Sequence, residues 1–307
     1  MKNIVVIGGG HGQSTILRGV KNLPDANVTA IVTVADDGGS TGRIREYYNI
    51  PAMGDIRNCL IALSDESVLT NLLDYRFIGP NEVDIIGHNL GNLILTAAAD
   101  LTDSFESGID FIADIIGAKG SVIPVSTDVI TLFAKMEDET IVKGEKNIPS
   151  FNQHIESVFY DHPVSANPKA VEAIMNADIV VLGIGSLYTS ILPIVIIDDI
   201  KKALETTKAK KVYFANSMTQ SNETYGYDLK DHVDALKKHG ANVDLIVKHN
   251  NPIPNNILDR YAATNSIEVV YNNNLTEKVI ETDLLDFSKG LVRHSSEKIA
   301  KVIKELL

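Results

Sequence analysis

Cysteine is almost missing from this sequence. Cys59 stands alone, which excludes an intramolecular disulfide and any zinc cluster built from cysteines. Long hydrophobic runs are missing too: the longest purely apolar stretch, Ile191 to Ile197, is far too short to cross a bilayer. The opening MKNIVVIGGG runs straight into a strand-like segment without a signal-peptide pattern. There is no surplus of positive charge. A net charge of −12 and a pI of about 5.1 argue against a broad basic face for nucleic acid, which would have to neutralise many phosphates at once. These absences predict a cytoplasmic protein with no membrane insertion and no nucleic-acid partner. No internal repeat, low-complexity tract or linker stands out. The 307 residues, 44% hydrophobic and 22% charged, suit an ordinary globular chain with a large core.

Arginine is scarce and unevenly spread. Of the seven, Arg18, Arg43, Arg45 and Arg57 fall between residues 18 and 57, and none lies between 77 and 259. The stretch TVADDGGSTGRIREYYNIPAMGDIRNCL, residues 33 to 60, packs three Asp and three Arg around small residues. Opposite charges this close can simply pair on the surface, where such pairs contribute little. A dense cluster beside long Arg-free stretches nevertheless suggests a local task, because guanidinium groups grip phosphate or carboxylate with two parallel hydrogen bonds. A turn such as Gly38-Gly39-Ser40 lets main-chain N–H groups approach the same anion. The sequence therefore points to a phosphate-bearing ligand.

Strand-like runs rich in Val and Ile recur at Ile4–Ile7, Ala30–Val34, Ile179–Leu182, Val212–Ala215, Leu245–Val247 and Val269–Tyr271, with helical patterns between most of them. Short, continuously apolar strands alternating with helices are the mark of a parallel sheet covered on both faces. This predicts an α/β fold: a doubly wound, mostly parallel, Rossmann-like sheet forming one domain over residues 1–307. Residues 55–117 read as a helical insert, and residues 128–148 as a small β-hairpin appendage turning at Glu137–Thr140. Asn167-Pro168 marks one helix start, and Ser295 can cap a closing amphipathic helix.

Five constellations could carry chemistry. In IVVIGGGHGQSTILRGVK a strand ends in Gly8, Gly9 and Gly10, followed by His11, Gly12 and Ser14 and then a helix, an arrangement that brings main chain to a diphosphate at a helix N-terminus. The dinucleotide fingerprint G-x-G-x-x-G is absent, because Gln13 and Thr15 stand where its last glycine would fall. Asp36 and Asp37 end the second strand, where they could meet a ribose, hold Mg²⁺ with ligand phosphate oxygens, or merely satisfy the N–H groups of the following turn. In GDIRNC, Asp55 can cap a helix whose first turn carries Arg57 and Asn58. In GIGSLYTSILP the hydroxyls of Ser186, Tyr188, Thr189 and Ser190 crowd onto a helix start after Gly185, exceeding what capping requires. In NSMTQSNETYGY, Asn216, Met218, Thr219 and Gln220 follow a strand end, the edge where open α/β sheets bind ligands. His88 and Asn92 in GHNLGN give a signal of the same weak kind. Arg293 in LVRHSSEK precedes the closing helix and is expected to fold back over the carboxyl edge onto a bound anion.

Together, GGGHGQSTILRGVK, TVADDGGSTGRIRE, GDIRNCLIALS, GHNLGNLIL, GIGSLYTSILP, NSMTQSNETYGY and LVRHSSEKIAKVI resemble the gluconeogenesis factor family of the YvcK type, related more distantly to 2-phospho-L-lactate transferase. The resemblance covers essentially the whole chain. It departs at His11, where the family pattern G-G-G-T-G-x-S has Thr, and at IPAMGDIRN, which replaces a more usual Pro-Pro-Gly-Asp. It implies a cytoplasmic UDP-sugar-binding regulator, with UDP-N-acetylglucosamine or UDP-glucose as expected ligands. Such a protein supports cell shape and cell-wall synthesis on gluconeogenic carbon sources through protein partners. The ligand shell it implies comprises the glycine loop, Asp36, Arg57, Asn58, the Gly185–Ser190 turn, Asn216, Thr219 and Arg293, and Asp37, Arg43, Asp55, His88, Asn92, Met218 and Gln220 are further expected ligand contacts. No cofactor is obligatory. The transferase relatives imply the alternative of Mg²⁺-dependent phospho-group transfer, with Asp36 and Asp37 as metal ligands, while a nicotinamide oxidoreductase is disfavoured by the broken fingerprint. Homo-oligomer formation is left open by the sequence.

Overall fold

Short Val- and Ile-rich segments supply the sheet of the computed structural model, which describes residues 1–80, 83–151 and 153–307. β1 (Lys2–Gly8) pairs in parallel with β2 (Ala26–Val32), in the register Ile7 to Ile31 and Gly8 to Val32, and β2 pairs with β3 (Ser121–Pro124). A separate antiparallel sheet follows, made of β4 (Phe133–Met136), β5 (Ile141–Lys143) and β6 (Ile155–Phe159) in the order β5-β4-β6. The chain then returns to the free flank of β1 with β7 (Ile179–Leu182), and continues outward through β8 (Lys210–Phe214), β9 (Leu245–His249) and β10 (Lys278–Thr282). The main sheet therefore runs β10-β9-β8-β7-β1-β2-β3, all parallel. All four residues of β7 and the last five of β1 are buried, as a sheet covered on both faces requires. Strand order reverses between β1 and β7, so the connections leaving these two strands diverge and open a crevice at their carboxyl ends.

Between β1 and β2 lies α1 (Gly10–Val20). Between β2 and β3 come α2 (Gly39–Tyr48), α3 (Gly54–Leu63), α4 (Val68–Asp74), α5 (Leu90–Leu101) and α6 (Phe105–Ile116), which make up the helix-rich region anticipated from the sequence. Later helices are α7 (Pro168–Met175), α8 (Leu192–Val195), α9 (Asp198–Thr206), α10 (Leu229–Lys238) and α11 (Asn255–Ala262). A two-residue ladder of β11 (Leu285–Asp286) with β12 (Arg293–His294) leads into α12 (Ser296–Leu306). Asn167 caps α7 by accepting the Lys169 N–H, and Ser295 caps α12 by accepting the Lys298 N–H, as their sequences predict. Among the described residues no helix is long and apolar enough to cross a membrane.

Four expectations need correction. Val269–Tyr271 is not a strand of the sheet: the Val269 N–H donates to the Ser217 carbonyl and the Val270 carbonyl accepts from Leu229, so the segment braces the loop after β8. The outermost strand is β10, whose charged Lys278 and Glu281 hid it in the sequence and now protect an exposed sheet edge. The expected hairpin forms between β4 and β5, but the appendage does not stop at residue 148: β6 adds to β4 as a third strand, out to Phe159. Asp55 does not cap α3. The helix starts at Gly54 with Met53 before it, leaving the Asp55 carboxylate in the first turn, free to reach across to α1.

Candidate functional site

The crevice between β1 and β7 is closed down to a narrow cleft by two glycine turns. α1 begins directly after β1, with Gly10 at φ +60°, a backbone region that favours glycine. A Cβ at Gly12 would lie 2.1 Å from the Ile184 carbonyl oxygen and 2.8 Å from the Gly185 nitrogen, so the first turn of α1 rests on the main chain of the turn after β7. Asn216, at the end of β8, locks that turn by donating to the Gly185 carbonyl at 2.9 Å and accepting the Gly185 N–H at 3.5 Å. The resulting cleft has a volume of about 220 Å³ and is lined by His11, Gly12, Thr15, Ile184–Ser186, Asn216–Met218, Gln220, Tyr261 and Val292–His294. Arg293, more than thirty residues beyond Tyr261 in the chain, is exposed on this wall, in the short β12 that pairs back against β11. His294 beside it contacts the Ser217 hydroxyl at 3.2 Å, and burial together with nearby His249 pushes its pKa down to about 3, so it is neutral at physiological pH.

The other flank of the glycine loop is acidic. A Cβ at Gly9 would lie 2.5 Å from Asp55 Oδ2, and Asp55 accepts the Gly10 N–H. Burial, and then the negative charge of Asp36, raise the Asp55 pKa to about 7 against the opposing pull of the Gly10 N–H, Arg57 and Asn58. Glu145, at the head of a 3₁₀ turn over Glu145–Ser150, is raised to about 8 by burial and by Asp36, Glu223, Asp37 and Asp55. Asp36 accepts the Gly38 N–H at 2.8 Å, whereas Asp37 accepts the Lys146 N–H at 3.0 Å. The two adjacent acids thus have different partners, and Asp36 rather than Asp37 is the dominant charge acting on Asp55. Among the described residues no group of three or more His, Cys, Asp or Glu side chains is placed to hold a metal ion.

Arg57 is buried behind Asp55, donating to Asn92 Oδ1 at 2.9 Å and Asn58 Oδ1 at 2.7 Å. His88 meets the Ser40 hydroxyl at 3.1 Å, and Asn92 is also within 3.4 Å of Ser40 and Thr41. These residues therefore gather beside the acidic flank and do not line the cleft. Several others expected to face a ligand are engaged elsewhere. Ser14 is buried with its hydroxyl on the Gly10 carbonyl; Tyr188 is buried with its hydroxyl 2.9 Å from that of Tyr227; Thr219 accepts the Ile267 N–H at 2.9 Å. Ser186 donates to Glu223 and accepts from the Thr189 N–H at 3.1 Å and the Thr189 hydroxyl at 2.7 Å, which uses up its hydrogen-bonding capacity. Ser190 remains half-buried near Gly185. The turn thus presents main chain, not hydroxyls, to the cleft. Arg43 holds the carbonyls of Asp84 and Ile86 on the far side of α2.

The sequence patterns do not point to Glu145 or His249; they include Glu223 only with Asn, Thr and Gln as a group suited to a base or sugar, and Arg45 only as one of the arginine cluster. Glu223 lies inside NSMTQSNETYGY and accepts from Ser186, Thr189 and the Tyr188 N–H, with its pKa raised by burial. Arg45 is buried and donates to the carbonyls of Ala35, Asp36 and Ile130, holding the loop that carries the acids.

Fold and crevice together define the class: a doubly wound, Rossmann-like α/β protein whose switch-point cleft is walled by main chain from two glycine turns. The family model described as 2-phospho-L-lactate transferase CofD matches residues 4–285, and the chain belongs to that family, among the gluconeogenesis factors. It is 39% identical over 312 residues to the gluconeogenesis factor of Bacillus subtilis, covering 99% of this chain and 98% of that one. The gluconeogenesis factor of Halalkalibacterium halodurans is 40% identical over 313 residues, covering 99% and 96%. A crystal structure of a UPF0052-family protein from Bacillus halodurans superposes with a TM-score of 0.93 at 39% identity, covering 99% of this chain and 98% of that chain.

Proposed function

We propose that the cleft binds a UDP-sugar and that the protein acts as a cytoplasmic regulator, supporting cell shape and wall synthesis during gluconeogenic growth through protein partners. The observation that carries this reading is the meeting of three chain segments at one switch point: the His11–Gly12 turn, the Ile184–Ser186 turn and Arg293. Main-chain N–H groups at a helix start favour a diphosphate, and a guanidinium can grip its oxygens with two parallel bonds. Asn216, Met218 and Gln220 then lie where a base or sugar would be read. The name of the full-length relatives, gluconeogenesis factor, agrees with a role in gluconeogenic growth.

The test is a thermal-shift panel of UDP-N-acetylglucosamine, UDP-glucose, NAD, GDP and ATP, with and without Mg²⁺. A UDP-sugar should raise the melting temperature, because a ligand that binds only the folded state stabilises it by mass action. No shift at saturating UDP-sugar beside a clear shift with NAD would overturn the reading.

A second reading, Mg²⁺-dependent phospho-group transfer, is favoured by one observation: Asp55 lies against Gly9 and Asp36 against Gly54, which places the two carboxylates together beneath the glycine loop, where burial and then the Asp36 charge raise the Asp55 pKa. Two carboxylates completed by water and ligand phosphate oxygens suit Mg²⁺, which would neutralise charge on a transferring phosphoryl group. Asp36 and Asp55 would hold it, and Asp37, engaged with Lys146, would not. On this reading Mg²⁺ strengthens nucleotide binding, Asp36→Asn abolishes the gain and Asp37→Asn leaves it intact. Calorimetry with and without chelator decides, and indifference to Mg²⁺ removes the reading.

A further inference from the structure

The arginine cluster of residues 43 to 57 does not converge on one place. Arg57 joins the acidic flank of the site, but Arg43 and Arg45 line a different cleft of about 620 Å³ on the outer side of α2, together with Lys143 and Lys146. No residue that lines the glycine-turn cleft lines this one. We propose that this outer cleft is a second anion site, for a phosphate-bearing small molecule.

The lining of this cleft carries more positive than negative charge. Acidic residues outnumber basic ones by 40 to 28 in the chain, yet among the described residues none of these four cations lies within ion-pair distance of a carboxylate. Arg45 is only 7% exposed, its donors rest on the carbonyls of Ala35, Asp36 and Ile130, and its Nε has no partner. Carbonyl dipoles solvate that guanidinium, and the carboxylates of Asp37 and Asp36 act on it from beyond ion-pair distance without neutralising it. Lys143 and Lys146 are exposed at the rim, and Arg43 holds the carbonyls of Asp84 and Ile86. Two carboxylates, Asp37 and Glu46, also line the cleft, so four positive charges face two negative ones in a protein whose net charge is −12. Such a local excess draws an anion of charge about −2, and Arg with Lys is the pairing suited to phosphate oxygens. The volume falls in the range of small-molecule sites, roughly 300–1,000 Å³.

Inorganic pyrophosphate is the probe, titrated by calorimetry into the wild type, Lys143→Ala/Lys146→Ala and Arg293→Ala. Pyrophosphate should bind the wild type, bind about tenfold or more weakly to the double variant, and lose affinity as salt is raised. Arg293→Ala, and wild type saturated with UDP-N-acetylglucosamine, should retain this binding, which separates the outer cleft from the proposed UDP-sugar site. The double variant should melt close to the wild-type temperature, because both lysines are exposed and outside any ion pair among the described residues, and the contact of Lys143 Nζ with the Phe133 ring, 5.8 Å from its centroid, is a weak one at an exposed site. Absence of binding at millimolar pyrophosphate, unchanged affinity in the double variant, or loss of binding in Arg293→Ala would each overturn the proposal. Failure of the UDP-sugar reading alone would leave the pyrophosphate result standing.

Discussion

Gly12→Ala probes the contact on which the cleft depends. The added methyl would lie 2.1 Å from the Ile184 carbonyl oxygen, 2.4 Å from its carbon and 2.8 Å from the Gly185 nitrogen. All three are main-chain atoms, so no side chain can swing aside. Ordinary contact needs about 3.5 Å or slightly less, and α1 and the turn after β7 must therefore separate by about 1 Å. Overpacking of this kind costs about 1–3 kcal/mol, and at roughly 2–4 °C per kcal/mol for a chain of this size the melting temperature should fall by roughly 3–10 °C. UDP-sugar affinity should fall as well, since the N–H groups of the two turns no longer reach one diphosphate. Gly39→Ala is the control: φ is +49° but nothing lies within 4 Å of its added methyl, so it carries backbone strain of about 1–2 kcal/mol without closing or widening the cleft. Differential scanning calorimetry and a ligand titration on both variants suffice. A Gly12→Ala protein that melts and binds like wild type would refute the reasoning, because it would mean the two turns do not touch.

Arg293→Ala should weaken UDP-sugar binding by about 1.5–3 kcal/mol, the loss of a charge-assisted hydrogen bond, with little change in melting temperature; Arg293→Lys should restore only part of it. Calorimetric titration reads both. Glu223→Ala strips the acceptor from Ser186, Thr189 and the Tyr188 N–H and should cost about 1–3 kcal/mol in denaturant unfolding, whereas Glu223→Gln, which keeps an acceptor oxygen, should cost less. Asp55 carries a pKa of about 7 in the folded protein against an ordinary 3.8, so folding takes up a proton there and the group's contribution becomes increasingly unfavourable as pH rises from about 4 to about 7. With chelator present, the melting temperature of wild type minus that of Asp55→Asn should therefore fall across this window; a difference independent of pH would contradict the assignment.

The glycine turns were legible in the sequence because their signal is local: a Val- and Ile-rich strand, a run of glycines and a helix start need no distant partner to be recognised. The parallel sheet was legible for the same reason, since β1 and β7 are apolar throughout their buried residues. What was not legible depends on contacts made at long range. Val269–Tyr271 has the composition of a strand but is held by Ser217 and Leu229, while β10 carries charges and takes the sheet edge. Arg density suggested a single pocket, yet α2 turns Arg43 and Arg45 to its outer side while Arg57 in α3 faces Asn58 and Asn92. The hydroxyls after Gly185 have the pattern of ligand donors, but Ser186 and Thr189 donate to Glu223, which lies more than thirty residues later in the chain.

On the proposed function, one cleft, formed by the His11–Gly12 turn, the Ile184–Ser186 turn and Arg293, holds the diphosphate of a nucleotide-sugar. A crystal structure of the protein grown with UDP-N-acetylglucosamine tests this most directly. The account predicts diphosphate density against the main chain of both turns with the Arg293 guanidinium on its oxygens, and the base or sugar beside Asn216 and Gln220. Density for the nucleotide-sugar elsewhere on the molecule, with Arg293 turned away into solvent, would contradict it.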